Sequence, residues 1–446
     1  MNATISETEM DQAIQSLSSI VSFPSFGTEA TDHAPFGEHD LDALKAMLHI
    51  CETLGFTTYL DPDGYYGYAD IGTGDKLLGV ICHMDVVPAG NLSDWQTDPF
   101  KLTIKDGVLY GRGVQDDKGP TIAALYALKH AMDAGLKLRH QIRFIFETDE
   151  ETLWRGINKY VKEQRTVDFG IAPDADFPVT YAEKALLQAR IIGPGSEDLN
   201  IDLQNPFNAV PGAAEYSGPK QGEVKAALQK LNFTFTENDQ SITVAGQSVH
   251  SMEAPKGTNA VVRLAMALSQ VFDAPMLQFI DKGLGQDAYA ANVLGDISDT
   301  VSGRLTFNLA SLTVNKQTSS ADIDLRIPVT VDKQAVVDKL SSTLAKFGLT
   351  YQQFDYLNPQ YVKTDSPLVK TLMAAYQQVT GDKNAEPLVT GGATLARVMP
   401  NCVAFGGMLP SVKSYMHQVN EQWQIADMKT TMQIYVAAFT ALNSIE

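Results

Sequence analysis

The sequence is poor in cysteine. Its 446 residues include only Cys51, Cys82 and Cys402, and no pair has CxxC spacing. An odd and sparse set of this kind argues against a disulfide framework. We expect each thiol to be a small buried apolar group rather than a metal ligand or a nucleophile. The cysteine content therefore predicts a protein of a reducing compartment, the cytoplasm.

The sequence also lacks long apolar runs and an excess of positive charge. No window approaches the roughly 18 uninterrupted apolar residues that a membrane-spanning helix needs. Residues 1–17 contain neither a basic run nor an apolar segment, so we expect no signal peptide. A formal net charge of −19 disfavours nucleic acids and anionic membranes. We therefore expect neither of these as a partner.

What the sequence does contain is a globular composition, with 44% hydrophobic and 20% charged residues. The N-terminal part alternates predicted helices and strands, which is the signature of an α/β fold. The predicted helices cover 7–22, 39–55, 121–135 and 154–164. The predicted strands cover 56–60, 65–71, 76–82, 141–147 and 167–174. The strand at 141–147 is almost continuously apolar, as buried parallel strands are.

A different pattern begins near residue 185, where predicted strands alternate apolar and polar residues around helices at 258–272 and 331–347. This pattern predicts an inserted α+β domain over 185–385, built of two similar subdomains. Residues 1–184 and 386–446 then form one domain, a mixed and mostly parallel sheet with helices on both faces.

Histidines and carboxylates cluster where predicted strands end or helices begin. Taken singly, each acidic pair is common in a chain with 53 acidic residues and would be interpreted as solvated. Together they are informative, because function in open α/β sheets gathers at the carboxyl ends of strands. The clustered residues are His83, Asp85, Asp116, Glu150, Glu151, Asp174 and His417.

These residue types suit a site for divalent metal. Imidazoles and carboxylates without a usable thiol match Zn²⁺, Mn²⁺ or Co²⁺. His83 and Asp85 point the same way in an extended chain, so one can bind a metal while the other orients it. Glu150 and Glu151 point differently, so one can bind a metal while the other acts as a general base. A carboxylate shared by two ions, best placed at Asp116, would hold them about 3.5–4 Å apart.

Four motifs together resemble a known enzyme family. HMDVVP, GRGVQDDKGP, ETDEET and the late MHxxNE are similar in order and spacing to the co-catalytic metal aminoacylases, carboxypeptidases and dipeptidases of metallopeptidase family M20. The resemblance implies two divalent ions per chain, with zinc as the expected metal. It implies Glu150 as the general base and acid, and Asp85 as the residue that orients a ligand. The implied ligands are His83, Asp116 (shared by both ions), Glu151, Asp174 and His417.

Within that family the sequence most resembles bacterial PepV-type dipeptidases. Asp174 in APDADFPV is an aspartate, as in dipeptidases and aminoacylases, and DADFPVTYAEK runs into the pair Glu183-Lys184. The insertion at 185–385 is long. In shorter family members a small lid dimerises and lends a histidine to the partner, whereas a doubled lid could provide it within one chain. This resemblance implies a monomer.

The resemblance also implies substrate-binding residues. His250 in VAGQSVHSMEAP would stabilise the oxyanion of the tetrahedral intermediate, and Asn208 aligns with a substrate-binding position. Arg326 in DIDLRIP suits a planar carboxylate held by two hydrogen bonds, with a salt bridge within the protein as the alternative interpretation. The glycine-rich loop TGGATLARV adds Gly391 and Gly392.

Three functional hypotheses follow. The first is a metal-dependent dipeptidase that hydrolyses unblocked dipeptides with a water activated by two metal ions, so that a small peptide is the expected partner. The second is an N-acyl amino acid deacylase or a carboxypeptidase on the same scaffold, which would use the same chemistry in a different pocket. The third is a metal-binding protein without catalytic activity.

Overall fold

The computed structural model describes residues 4–445, which form two compact units. Unit 1 contains the described residues up to 181, together with 361–388 and 394–445. Unit 2 contains residues 182–360 and 389–393. Each unit has its own cluster of buried apolar side chains.

The second boundary of the inserted domain differs from the prediction. The sequence predicted an insertion over 185–385, but residues 361–388 belong to unit 1. The reason is the helix Pro367–Thr380, whose apolar side lies in the unit 1 core. The short segment 389–393 in turn belongs to unit 2. The predicted boundary at 184 lies within three residues of the observed one.

Unit 1 is built on a mixed sheet with a parallel centre. The central strand LLGVICH is buried along its whole length, as expected for a strand covered on both faces. The parallel strands are, in order, Gln141–Glu147, Leu77–His83, Phe169–Ala172 and Cys402–Ala404. Antiparallel strands flank them: Tyr66–Ile71 and Thr57–Leu60 on one side, and Thr180–Glu183 on the other. This arrangement confirms the predicted α/β class.

Helices cover both faces of this sheet. Val80 and Cys82 point into the main core, which also contains the apolar sides of several helices. On the opposite face Tyr160, in the helix Arg155–Glu163, packs edge-on against Tyr66 with ring centroids 5.3 Å apart. The α-helices of unit 1 are Glu7–Val21, Glu38–Thr53, Lys118–Asp133, Arg155–Glu163, Pro367–Thr380 and Ile425–Leu442.

Unit 1 also contains two small sheets. One is antiparallel and consists of Thr103–Lys105, Val108–Tyr110 and Gln422–Gln424. The other pairs Ala175–Asp176 with Gly407–Met408 in parallel. Short 3₁₀ helices lie at Leu92–Asp94 and Leu395–Val398. The small sheets extend the chain beyond the ends of the central strands.

Unit 2 contains antiparallel sheets around a single core. A five-stranded sheet has the order Ile201–Leu203, Thr306–Val314, Thr318–Ile327, Ala185–Pro194, Thr350–Leu357. A three-stranded sheet has the order Ala213–Tyr216, Ile242–Ala245, Phe235–Glu237, and Ser298–Asp299 pairs with Gly303–Arg304. The helical segments are Gln221–Lys230, Ser251–Lys256, Ala260–Leu268, Pro275–Gln278, Phe279–Leu284, Ala291–Leu294 and Lys333–Ala345.

No helix within residues 4–445 is both long enough and apolar enough to cross a membrane.

Candidate metal centre

The parallel strands of unit 1 end at one edge of the sheet. His83 is the last residue of its strand and pairs in register with Glu147, the last residue of the neighbouring strand. The two strands therefore end side by side, and the residues that follow them start at the same edge of the sheet. Asp174 follows the next parallel strand, Phe169–Ala172, by two residues. The local sequence thus predicts the edge correctly, because parallel strands share the direction in which they end.

Two groups of potential metal ligands lie at this edge. In the first, His83 Nε2 is 3.0 Å from Asp116 Oδ1 and 3.7 Å from Asp174 Oδ2. In the second, His417 Nε2 is 2.9 Å from Asp116 Oδ2 and 3.0 Å from Glu151 Oε1. Asp116 belongs to both groups and presents a different carboxylate oxygen to each. The structure thus brings together all five residues that the family resemblance implied as ligands.

Asp85 connects the two groups without belonging to either. Its backbone oxygen lies 3.0 Å from His83 Nδ1, and its Oδ1 lies 3.5 Å from the same nitrogen. Its Oδ2 accepts a hydrogen bond of 2.9 Å from the backbone N–H of Glu151. A single residue therefore holds the ring of one potential ligand and the backbone of another.

The imidazoles at this edge are electrostatically coupled to the carboxylates. Burial lowers the pKa of His83, but Asp116 and Asp85 outweigh burial and raise that pKa well above its usual value. Hydrogen bonds to Asp116 and Glu151 raise the pKa of His417 to about 11. In the absence of another cation, the two rings therefore retain protons as counter-charges to the acids.

Several carboxyl groups at the edge resist ionisation. Burial raises the pKa of Asp174 to about 7, and the negative charge of Asp116 adds to the effect. Burial also raises the pKa of Glu150 well above its usual value, with further contributions from Asp174 and Glu151. Burial likewise raises the pKa of Asp117 well above its usual value. Such a concentration of buried acids is stabilised when a cation neutralises it.

The residues fit divalent metal. The Nε2 atom of His83 is buried and lies 3.0 Å from Asp116 Oδ1 and 3.7 Å from Asp174 Oδ2, but it is not aligned for a regular hydrogen bond with either carboxylate within residues 4–445. An imidazole nitrogen directed at two carboxylates is a normal donor set for zinc and similar ions. Glu150 belongs to neither ligand group, although it interacts electrostatically with His83, Asp174 and Glu151.

The remaining predicted residues lie in unit 2, where Ser251 connects most of them. The backbone N–H of Ser251 donates to Asn208 O at 2.8 Å, and its Oγ accepts from Arg326 Nη2 at 3.0 Å. Arg326 Nη1 also donates to Gly391 O at 2.7 Å. His250 immediately precedes Ser251 and forms a β-bridge with Ala209, the neighbour of Asn208.

Sequence reasoning assigned no role to several residues that hold this architecture together. Ser251 is 1% exposed and could have been found only by its position after His250. Asp149, inside ETDEET, accepts from the backbone N–H of Arg155 at 2.9 Å and from its guanidinium, which closes the turn that carries Glu150. Glu421, inside MHxxNE, is buried near the Asp116 loop. Both acids lie within the quoted motifs. The motifs do not reveal their partners, because Arg155 lies outside ETDEET and Asp116 is 305 residues from Glu421.

A family of known proteins matches most of this chain. Residues 79–441 match the family described as Peptidase family M20/M25/M40. The chain therefore belongs to this family of peptidases, which confirms the resemblance of the four motifs.

Relatives match the chain over nearly its whole length. A Bacillus subtilis (strain 168) protein named "Putative dipeptidase YtjP" is 35% identical over 440 residues, covering 93% of each sequence. A Staphylococcus epidermidis protein named "Putative dipeptidase" is 29% identical over 459 residues, covering 97% of each. Both similarities extend over more than nine tenths of each sequence.

Solved structures show the same fold. Human carnosine dipeptidase 1 superimposes with a TM-score of 0.61 at 16% identity, covering 98% of this chain and 97% of that one. The dipeptidase Dug1p of Saccharomyces cerevisiae gives 0.62 at 15% identity, covering 98% of each chain. At these identities the likeness is one of fold.

Proposed function

We propose that this chain is a metal-dependent dipeptidase that hydrolyses the peptide bond of unblocked dipeptides. The observation that carries the proposal is the position of Asp116, whose two carboxylate oxygens face two separate groups of potential ligands. A shared carboxylate between two histidine-containing groups is the arrangement of two-metal hydrolases. The dipeptidase names of the full-length relatives support the substrate class.

In this proposal unit 1 is the catalytic domain and holds two divalent ions, with zinc as the proposed metal. One ion would be held by His83, Asp116 and Asp174, and the other by Asp116, Glu151 and His417. When bound, the ions lower the pKa of a water molecule and polarise the carbonyl of the scissile bond.

The side chains of unit 1 then move the protons. Glu150 accepts a proton from the attacking water and delivers it to the leaving amine. Burial keeps the pKa of Glu150 raised, which suits a group that must both take and return a proton. Asp85 holds the ring of His83 and the backbone of Glu151 in place through its contacts with each.

Unit 2 is the proposed lid and supplies the groups that bind the substrate. His250 stabilises the negative charge that develops on the carbonyl oxygen. Arg326 and Asn208 bind the C-terminal side of the dipeptide, together with the backbone of Gly391 and Gly392. The hydrogen bonds through Ser251 support this assignment, since they hold these residues as one group.

The proposal includes a cytoplasmic, monomeric enzyme. Cys51, Cys82 and Cys402 are buried free thiols, which supports a reducing compartment. The length of unit 2 supports the monomer, because a lid of this size could provide His250 within the same chain.

The test begins with the purified protein and a count of metal ions per chain. Hydrolysis is then compared for a dipeptide, its N-acetylated form and a tripeptide, before and after chelation. We expect two ions and rapid cleavage of the unblocked dipeptide, lost on chelation and restored by metal. Cleavage of only the acetylated form would identify a deacylase instead. Metal binding without turnover of any substrate would identify a metal-binding protein without catalytic activity.

The variant Glu150→Gln makes the test specific. It removes the proton acceptor while it leaves both ligand groups intact, so kcat is expected to fall about 10²–10⁴-fold with unchanged metal content. Glu163→Gln, an exposed carboxylate of the same unit, serves as the matched control. Full activity in Glu150→Gln would refute the assigned role.

A further inference from the structure

Glu421 is a buried carboxylate enclosed by donors from the loop that carries Asp116. Its side chain is 0% exposed. Oε1 accepts from the backbone N–H groups of Gln115 at 2.8 Å and Asp116 at 3.3 Å. Oε2 accepts from the backbone N–H of Gly113 at 3.0 Å and from Arg112 Nη1 at 2.8 Å. Four donors therefore converge on one carboxylate.

The small antiparallel sheet of unit 1 places Glu421 opposite this loop. Gln422 pairs in register with Tyr110, and the ladder continues one step further, since Gly111 N–H donates to Glu421 O at 3.1 Å. From Tyr110 the chain continues forward to Asp116, and from Gln422 it leads back to His417. The two loops thus start from paired residues, and Glu421 joins them where they separate.

Further hydrogen bonds join the same two loops. Gln115 Nε2 donates to Lys413 O at 3.1 Å, and Gln115 Oε1 accepts from Tyr415 N–H at 2.7 Å. Arg112 Nη1 also donates to Gln418 O at 3.2 Å. His417 lies between the anchored positions 415 and 418. The backbone positions of both ligand-bearing loops are therefore set against each other.

We propose that Glu421 is a positioning residue of the metal centre. Asp116 must present one oxygen to each ligand group, so a small movement of its backbone disturbs both groups together. Glu421 prevents this movement by accepting hydrogen bonds from the N–H of Asp116 and of its neighbour Gln115. The inference rests on the proposed two-metal function, but it concerns the affinity for metal rather than the substrate.

The test measures metal binding directly, without an activity assay. Metal-free protein is titrated with Co²⁺, whose visible absorption reports both affinity and ligand geometry. Loss of a residue that supports a ligand typically weakens metal binding 10–100-fold. We expect Glu421→Gln to weaken binding of both ions by such a factor and to alter the Co²⁺ spectrum, because the amide replaces one acceptor oxygen with a donor.

The control is another acid–arginine pair of unit 1, in which Arg143 is buried and Asp70 is partly buried. Arg143 donates to Asp70 through Nε and Nη2 at 2.7 Å each, and its other partners are Tyr160 and the ring of Tyr68. Asp70→Asn should lower the melting temperature and leave the Co²⁺ affinity and spectrum unchanged. Equal losses of affinity in Glu421→Gln and Asp70→Asn would overturn the inference, as would an unchanged affinity in Glu421→Gln.

If circular dichroism shows that Glu421→Gln does not fold, the Co²⁺ titration is repeated with Glu421→Asp. It keeps the charge beside Arg112 but shortens the side chain by one methylene, which withdraws it from the amides of Gln115 and Asp116. Weaker Co²⁺ binding supports the inference, and wild-type binding overturns it. The outcome is independent of the proposed activity, since a wild-type protein that binds two Co²⁺ ions without cleaving dipeptides would refute only the latter.

Discussion

Arg326 donates two hydrogen bonds to Asp324, two residues earlier in the same strand, at 2.7 and 2.9 Å. Its other donors contact Ser251 Oγ and Gly391 O. Within residues 4–445, four of the five N–H groups of this guanidinium have protein partners, and the second N–H of Nη1 has none. While these contacts persist, Arg326 cannot hold a substrate carboxylate with two parallel hydrogen bonds, so in the proposed function it would offer a single one.

Arg326→Lys should therefore impair substrate binding more than turnover. Lysine cannot bind Asp324, Ser251 and Gly391 at once, because its ammonium is a point donor on a flexible stem. We expect KM for a dipeptide to rise about tenfold or more, which corresponds to about 1.4 kcal/mol, with a smaller change in kcat. Steady-state kinetics measures both parameters.

The control for this variant is Arg190→Lys. Arg190 makes a similar two-bond contact with Asp322 in the same sheet, at 2.6 and 3.0 Å, but contacts none of the proposed substrate-binding residues. It should show wild-type kinetics. A normal KM in Arg326→Lys would remove Arg326 from the proposed substrate site.

Ser251→Ala tests whether the substrate-binding residues of unit 2 act as one group. The change removes the acceptor for Arg326 Nη2 and leaves a buried donor without its partner, a loss of about 1–3 kcal/mol. We expect kcat/KM to fall about tenfold or more, since Arg326 and the segment containing His250 both depend on this residue.

Ser319→Ala is the matched control for that variant. Ser319 is also 1% exposed, and its Oγ donates to Pro194 O at 2.8 Å within the same sheet. A comparable loss of kcat/KM in both serine variants would indicate a general effect of destabilisation, in which case Ser251 has no special role.

Variants of Asp116 and Asp174 should differ in metal stoichiometry. Asp116 belongs to both ligand groups, so Asp116→Asn should weaken the binding of two ions. Asp174 belongs to one group, so Asp174→Asn should leave one ion bound tightly. Metal analysis after dialysis at a fixed free metal concentration distinguishes the two results. Identical stoichiometry in the two variants would contradict a shared Asp116.

Metal should also stabilise the folded chain. A ligand at 100 times its Kd contributes about 2.7 kcal/mol to folding, so the melting temperature of the wild-type protein should rise with added metal. Asp116→Asn should show a smaller rise. A melting temperature independent of metal would show that no ion binds the folded state preferentially.

Asp40 should make the stability of the metal-free protein depend on pH. Burial raises the pKa of this carboxyl to about 7, and the neighbouring charge of Asp85 adds to the effect. An ordinary aspartic acid loses its proton near pH 4, so between about pH 4 and pH 7 the unfolded chain releases this proton first. A rise in pH across that range therefore lowers the free energy of unfolding, by at most about 1.4 kcal/mol per pH unit.

Asp40→Asn removes this titration. The free energy of unfolding of the variant, minus that of the wild type, should increase as the pH rises from 4 to 7. Urea denaturation with chelator present measures both free energies. Asp63→Asn, at a side chain that is 68% exposed, should keep the wild-type dependence. Parallel pH curves for wild type and Asp40→Asn would contradict the expectation.

The elements of unit 1 could be read from local sequence because their signals are local. The apolar run at 141–147 is a strand over the same residues in the structure, and the helix predicted at 7–22 is observed at Glu7–Val21. The helix Pro367–Thr380 was missed, although Ser366 and Pro367 form a recognisable start. Its assignment to the inserted domain was wrong because the core that a helix joins is not encoded in its own residues.

The sequence by itself determined which residue types stand at the ends of the parallel strands, and therefore that His83, Asp174 and the acids after residue 147 meet at one edge. Only the tertiary structure decided which partner each of these side chains has. The backbone N–H of Asp116 donates to Glu421, 305 residues later, and Arg326 donates to Gly391 as well as to Asp324. Strand direction follows from local pattern, whereas a hydrogen bond between distant residues exists only after packing has brought their backbones together.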